Sequence, residues 1–196
     1  MLILASSSAI RIALLRNVGI DAEVVPARID EPALREALLA EGAGPRDVAD
    51  ALAEAKARKV SQRRPEALVL GCDQVLAHGD EVLYKPETIQ DARDQLTRLR
   101  GSTHRLFSAA VLSRASVPVW RHVAEARLTM RAFSDSYLEA YLARNWPAIA
   151  SSVGAYRVEE EGLRLFARIE GSHFTILGLP LMELLVHLAR IEEIDG

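Results

Sequence analysis

The run Ala67-Leu68-Val69-Leu70-Gly71-Cys72 is apolar or small on both of its alternating faces, and it stops at Asp73. A strand of that kind must be covered on both sides, so the chain is constrained to place helices above and below a sheet. The flanking segments offer such helices. Residues 10–18 carry Ile10, Leu14, Leu15 and Val18 at helical spacing, and Gly19 is placed to end that helix in the left-handed region. Residues 47–63 carry Ala49, Leu52, Ala53 and Val60 on one stripe. Asp30-Glu31-Pro32 opens a helix to about residue 40, since proline is tolerated in a first turn.

The rest of the chain alternates strand and helix signals. Residues 2–5 predict a buried strand running into Ser6-Ser7-Ser8, and residues 22–26 a second strand. The strand over 67–76 meets Gly79-Asp80, a hairpin signal. Residues 88–100 form an amphipathic helix capped by Thr88 and ended by Gly101. A strand over 106–113 follows. Residues 120–131 put Trp120, Ala124, Ala126, Leu128 and Met130 on one face, opposite Arg121, Glu125, Arg127 and Thr129. That alternation predicts a half-buried antiparallel strand. A Ser134-capped helix over 134–144, a strand over 163–169 and a helix over 181–191 complete the chain. The expectation is an α/β fold with a mixed β-sheet flanked by helices, in a single domain over residues 1–196.

Composition narrows the function classes. The net charge of -3 argues against nonspecific nucleic-acid binding. Cys72 is the sole cysteine, which excludes an internal disulfide and any multi-cysteine zinc site. No uncharged apolar stretch is long enough to span a bilayer, and the first residues lack a basic leader, so a cytoplasmic location is expected.

Several residues point to phosphate chemistry. Ser6, Ser7 and Ser8 lie between a strand and a helix N-terminus, where N–H groups, the helix dipole and hydroxyls favour an anion; Ser8 is also placed to be a simple N-cap. Arg11 in the first turn opposes the dipole unless it faces an anion. Lys56 falls in the middle of the apolar stripe of its helix, so it must snorkel or meet a negative charge. Asp73 emerges at the carboxyl end of a buried strand, where ligands of open α/β sheets bind and where a carboxylate needs a metal or a cation; a turn residue or a structural salt bridge is the alternative reading. Gly71 removes bulk on the face that Asp73 shares, and Cys72 points the other way as a core thiol. Pro86 aims Lys85, and Pro32 restrains Glu31. Glu159-Glu160-Glu161 reads as an acidic turn with two of its three side chains solvated; His104 reads as structural, and the histidines show no metal-ligand spacing. No GxSxG is present, and nothing places a histidine beside a nucleophile. Three cations, two carboxylates and a hydroxyl loop suit a polyphosphate with a divalent metal.

Taken in order, these residues resemble the Maf family of nucleotide pyrophosphatases. Leu4-Ala5-Ser6-Ser7-Ser8-Ala9-Ile10-Arg11 is similar to its opening loop, with Ala9 in place of the usual proline. Asp30-Glu31, Lys56, Gly71-Cys72-Asp73-Gln74-Val75, Lys85-Pro86, Gly101-Ser102-Thr103-His104, Gly154-Ala155-Tyr156 with Glu159, and Gly178-Leu179-Pro180-Leu181 match its later motifs in order. The resemblance implies an elongated α/β fold with a central cleft, of the Maf and inosine-triphosphatase type, often dimeric. It implies metal-dependent cleavage of a nucleoside triphosphate between the α and β phosphates. The metal expected is Mg2+, with Mn2+ or Co2+ as substitutes. Asp73 would be the general base; Asp73 and Glu31 would lie at the metal; Ser6, Ser8, Arg11, Lys56 and Lys85 would bind the substrate.

Three positions divide the family by base. One branch acts on dTTP and UTP, another on 7-methyl-GTP. Ile10, Gln74 and Glu159 occupy those positions here, and the latter two match the 7-methyl-GTP branch. A carboxylate such as Glu159 can balance the positive charge of a methylated guanine. Ile10 is apolar, as that branch requires, but cannot stack as an aromatic ring would. The expectation is therefore 7-methyl-GTP hydrolysis as a house-cleaning activity. A pyrimidine-triphosphate pyrophosphatase and a nucleotide-binding protein that regulates cell division stand as alternatives.

Overall fold

The structure, a computed structural model, describes residues 1–194. In chain order it contains β1 (Leu2–Leu4), α1 (Ala9–Asn17), β2 (Glu23–Val24), α2 (Glu31–Ala40), α3 (Pro45–Ser61), β3 (Leu68–His78), β4 (Glu81–Leu83), α4 (Ile89–Leu99), β5 (Thr103–Arg114), β6 (Val117–Met130), α5 (Asp135–Asn145), three short 3₁₀ turns, β7 (Phe166–Glu170), α6 (His173–Ile176) and α7 (Leu181–Arg190). The sheet has seven strands in the order β2-β1-β3-β5-β6-β7, with β4 paired to β3. β1 runs parallel to β2 and β3, whereas β4 and β7 are antiparallel to β3 and β6, so the sheet is mixed as expected. The residues gather into two compact units, and β3, β5 and β6 contribute residues to both.

The first unit comprises Met1–Gln74, Phe107–Ala124 and the chain from Ser172. Here the two-faced apolar run of β3 is resolved by its pleat. Leu68, Leu70 and Cys72 join Leu2, Leu4, Leu14 and Leu15 in a core that α7 closes with Leu181, Leu184 and Leu188. Gly71, on the opposite face, lies against α3 so closely that a Cβ would sit 2.1 Å from the Ala53 carbonyl oxygen and 2.6 Å from the Ala57 nitrogen. Glycine at 71 therefore sets how near α3 can approach the sheet. The end of α1 follows the sequence expectation: Gly19 takes φ +80°, its N–H donates to the Arg16 carbonyl, and the Ile20 N–H donates to that of Leu15. That is the paired bonding of a Schellman C-terminus.

The second unit comprises Val75–Leu106 and Glu125–Gly171. The β3–β4 hairpin turns at Gly79-Asp80, with His78 opposite Glu81. Thr88 caps α4 in a reciprocal capping box with Asp91, and Ser134 caps α5 by accepting from the Tyr137 N–H. Leu96, Leu99, Leu106, Leu128, Leu142 and Leu165 form the buried interior.

Three expectations are corrected. The strand over 22–26 shortens to the exposed pair Glu23–Val24, which lies at the sheet edge. The strand over 163–169 begins only at Phe166, because Glu161–Leu165 is a 3₁₀ turn that folds back on Arg157. A Cβ at Gly162 would lie 2.4 Å from the Arg157 carbonyl oxygen. The strands over 106–113 and 120–131 extend into a single hairpin through Ala115 and Ser116, both at positive φ. Such a turn normally calls for glycine or asparagine, so the sequence hid it. The Ser116 N–H donates to Ser61 Oγ at 3.0 Å, which helps hold the conformation.

Candidate active site

Because α3 rides over Gly71, the Lys56 ammonium reaches Asp73, two residues further along the same face of β3. Its Nζ donates to Asp73 Oδ1 at 2.7 Å and stands 2.9 Å from Glu31 Oε2. The Lys56 and Asp73 side chains are only 9% and 10% exposed, whereas Glu31 is 42% exposed at the start of α2. The lysine on the apolar stripe meets an anion and the buried carboxylate meets a cation, but the strand does not end at Asp73: it continues through buried Val75, Leu76 and Ala77 to His78. Burial pushes the Asp73 carboxyl above its ordinary value, opposed by the Lys56 charge and hydrogen bond. Cys72, on the other face, is fully buried, and burial pushes its thiol up to about 11. It is the core thiol expected.

Arg11 lies beside this centre. Its Nε donates to the Gly178 carbonyl at 2.8 Å, and its Nη1 donates to the Cys72 carbonyl at 3.1 Å and to Ser6 Oγ at 3.5 Å. The cation in the first turn of α1 is thus held away from the helix dipole by carbonyl oxygens. Gly178 has φ +98°, and a Cβ there would crowd Arg11 Nη2 at 3.3 Å. Ser6 is buried and its Oγ also accepts from the Ser8 N–H at 3.2 Å. Ser8 holds the N-cap position of α1, yet its side chain makes no capping hydrogen bond. Capping therefore does not account for the hydroxyl loop. Ile10 is half-buried in the first turn of α1.

Gln74 has its amide nitrogen inside the protein. Nε2 donates to Ser108 Oγ at 3.0 Å and to the carbonyls of Thr175 and Ile176 at 3.1 and 2.9 Å. Sequence reasoning missed Ser108, Thr175 and the helix α6 that carries Thr175. The available signal was a serine inside the apolar run 106–112, since a buried hydroxyl must find a partner. Helix α6 spans only four residues, too short for a helical period to register.

The remaining candidates lie in the second unit. Lys85 is exposed directly after β4 and precedes the buried Pro86. The acidic turn divides as expected, with one member anchored. Glu161 pairs with Arg144 and accepts from Asn145, and these bonds hold its carboxyl down at about 2. Glu160 pairs with Arg157 at 3.0 Å, while Glu159 is exposed and makes no ion pair among the described residues. His104 is structural: it is 1% exposed, and its Nε2 shares a 2.7 Å hydrogen bond with the Tyr156 hydroxyl.

The donor set fits a hard divalent cation. Asp73 and Glu31 converge on one point, and each has a second carboxylate oxygen outside its contact with Lys56. Among the described residues no three His, Cys, Asp or Glu side chains form a ready-made cage. Mg2+ does not need one, since it is commonly bound by one or two carboxylates together with substrate phosphates.

The chain is similar to known proteins along nearly its whole length. A family model described as "Maf-like protein" matches residues 1–191. A protein of Roseobacter denitrificans named nucleoside triphosphate pyrophosphatase is 57% identical over 188 residues, covering 96% of this chain and 94% of that one. A 7-methyl-GTP pyrophosphatase of Mesorhizobium japonicum is 52% identical over 195 residues, covering 100% and 98%. Another of that name from Brucella abortus is 49% identical over the same length.

Proposed function

The chain belongs to the Maf family, and from that premise we propose that it hydrolyses nucleoside triphosphates to the monophosphate and pyrophosphate, with 7-methyl-GTP as its preferred substrate. The observation that carries the reading is the ion triad of Asp73 within β3, Lys56 on α3 and Glu31 at the start of α2. Asp73 Oδ1 is held by Lys56, so Oδ2 is the atom that takes the proton of the attacking water. The water oxygen bonds to the α-phosphorus, the bond from that phosphorus to the bridging oxygen breaks, and pyrophosphate leaves. Asp73 and Glu31 would hold a divalent cation, Mg2+ first and Mn2+ or Co2+ as substitutes. When bound, it neutralises phosphate charge that develops in the transition state. Lys56 is oriented by the two carboxylates and offers its charge to the triphosphate. Ser6 and Ser8 supply hydroxyls beside the first turn of α1, and Arg11 supplies a guanidinium fixed in direction by three acceptors.

Lys85 as a phosphate contact, and Ile10 and Glu159 as base-side residues, follow from the family resemblance. Glu159 suits a cationic base because, unlike Glu160 and Glu161, it is not committed to an arginine. We further propose a cytoplasmic enzyme that acts as a homodimer on free nucleotides, with neither nucleic acid nor membrane as partner. The net charge of -3 is unfavourable for a nucleic-acid surface. Among the described residues, no helix is long and apolar enough to cross a membrane.

The test is pyrophosphate release with Mg2+ from 7-methyl-GTP, UTP, CTP, dTTP and GTP. The highest kcat/KM is expected for 7-methyl-GTP. A preference for UTP or dTTP overturns the base assignment and keeps the enzyme class. No release from any of them by folded protein, with Mn2+ and Co2+ also tried, overturns the enzyme reading in favour of a nucleotide-binding regulator of division.

A further inference from the structure

The carbonyl oxygen of Thr175 is a convergence point within the first unit. It accepts from the Gly178 N–H at 3.0 Å, from Ser108 Oγ at 2.6 Å and from Gln74 Nε2 at 3.1 Å. Gln74 Nε2 also reaches the Ile176 carbonyl at 2.9 Å. Both carbonyls lie at the end of α6, a helix too short to satisfy its own C-terminal acceptors. Donors from β3 and β5 therefore fix the end of a turn whose next residues lead to Gly178. The Gly178 carbonyl is in turn the acceptor for Arg11 Nε, at 2.8 Å. Ser108 is fully buried and Thr175 is 1% exposed, so neither can contact a nucleotide from its present place.

We infer that Ser108 and Gln74 are positioning residues that set the direction of the Arg11 guanidinium through the Thr175–Gly178 turn. This rests on the reading of Arg11 as a triphosphate-binding group. The clasp holds the turn, the turn places the Gly178 carbonyl, and that carbonyl together with that of Cys72 holds Arg11 along its Nε and Nη1 edges. Nη2 is the terminal nitrogen that carries none of these bonds and is the one presented to a phosphate. With Nε and Nη1 taken, the direction of the Nη2 hydrogens is fixed by the guanidinium plane, so a small rotation of that plane costs binding that a flexible ammonium would recover. The same geometry changes the meaning of Gln74. Its amide nitrogen is engaged by three protein oxygens, so the clasp uses one end of the amide and any contact with the base falls to its amide oxygen.

Ser108→Ala is the mild probe, because the Thr175 carbonyl keeps two other donors and the fold should survive. Gln74→Ala is the stronger one. The readouts are melting temperature, kcat and KM for 7-methyl-GTP, UTP and dTTP, and the Kd of tripolyphosphate with Mg2+, which has no base. Ser108→Ala is expected to raise every KM and the tripolyphosphate Kd by one common factor of about tenfold, leaving kcat within about threefold and the ranking of bases unchanged. Gln74→Ala is expected to weaken tripolyphosphate binding more strongly. In an Arg11→Gln background, Ser108→Ala should have no further effect on tripolyphosphate binding, which a merely structural role would not produce. The proposal is overturned if Ser108→Ala weakens tripolyphosphate equally in both backgrounds. It is also overturned if binding is unchanged in folded variants. If the wild-type protein turns over no triphosphate, the proposed function fails while tripolyphosphate binding still decides this inference. A wild type that binds no tripolyphosphate either overturns both.

Discussion

Two buried hydrogen bonds of the same length, 2.7 Å, show how differently the two units treat polar groups. In the first unit the bond joins ions, Lys56 and Asp73, and a third ionic group, Glu31, completes the set. In the second it joins His104 to Tyr156, and both stay neutral. Burial, with a smaller contribution from the charge of His78, holds the His104 imidazole down at about 3, and burial raises the Tyr156 phenol. Phe166 packs edge-on to the Tyr156 ring at 4.8 Å. The neutral pair closes a core around two polar rings, and it leaves His104 Nδ1 buried without a hydrogen-bond partner among the described residues. The ionic one carries a desolvation penalty that its attraction only partly offsets, and apolar residues of similar volume would be as stable or more so. Its presence within a buried strand is explained by chemistry that needs the charges, not by stability.

The largest expected effect is on turnover. Asp73→Asn should lower kcat about 10²–10⁴-fold, the range for loss of a general base, with tripolyphosphate binding retained. Near-normal kcat would remove the functional reason for the ionic pair. Next is Lys56→Met, which strands a buried carboxylate and should lower the unfolding free energy by about 3–5 kcal/mol at neutral pH. The double variant with Asp73→Asn should recover much of that loss in denaturant melts; a simple sum of the two single effects would mean that the pair is not energetically coupled. Gly71→Ala attacks the approach that brings the pair together. With a Cβ 2.1 Å from the Ala53 carbonyl, α3 must shift, at a cost of about 1–3 kcal/mol in urea unfolding and with a further loss of kcat.

On the neutral side the expected signature is a slope. Between about 3 and 6.5 the unfolded chain protonates His104 while the folded one does not, so its contribution is intact above that window and is lost as pH falls through it. Each pH unit there removes up to about 1.4 kcal/mol. His104→Gln should flatten this portion of the stability profile, measured by unfolding at stepped pH; an unchanged slope would show that other groups dominate it. The smallest effect on stability is expected for Glu159→Gln, within about 0.5 kcal/mol because the side chain is exposed. Its effect should fall on the ratio of kcat/KM for 7-methyl-GTP over UTP, which should drop. A constant ratio would remove Glu159 from base recognition.

Much of the fold is legible in the amino-acid sequence. The two-faced apolar run over 67–72, the Thr88 and Ser134 caps, the Gly19 stop and the Gly79-Asp80 hairpin all stand where local physics puts them. The segments that escape such a reading share a cause. The Ala115-Ser116 turn, the 3₁₀ turn at Glu161–Leu165 and the four-residue α6 are held by contacts distant in sequence, and none carries the residue type or the period that marks its conformation locally.

The site divides along the same line. The sequence by itself determined that Lys56 had to snorkel or meet a negative charge and that Asp73 called for a metal or a cation, because an unpaired ion on an apolar helix stripe or a buried strand is costly. It could not determine that they needed each other. That was decided when Gly71 let α3 close on β3, a distance set by the absence of one carbon atom. Tertiary structure alone decided the partners of Arg11 and Gln74, which are carbonyl oxygens of Cys72, Thr175, Ile176 and Gly178. Every residue carries such a carbonyl, so no side-chain pattern can announce which ones a fold will leave for a guanidinium or an amide to find.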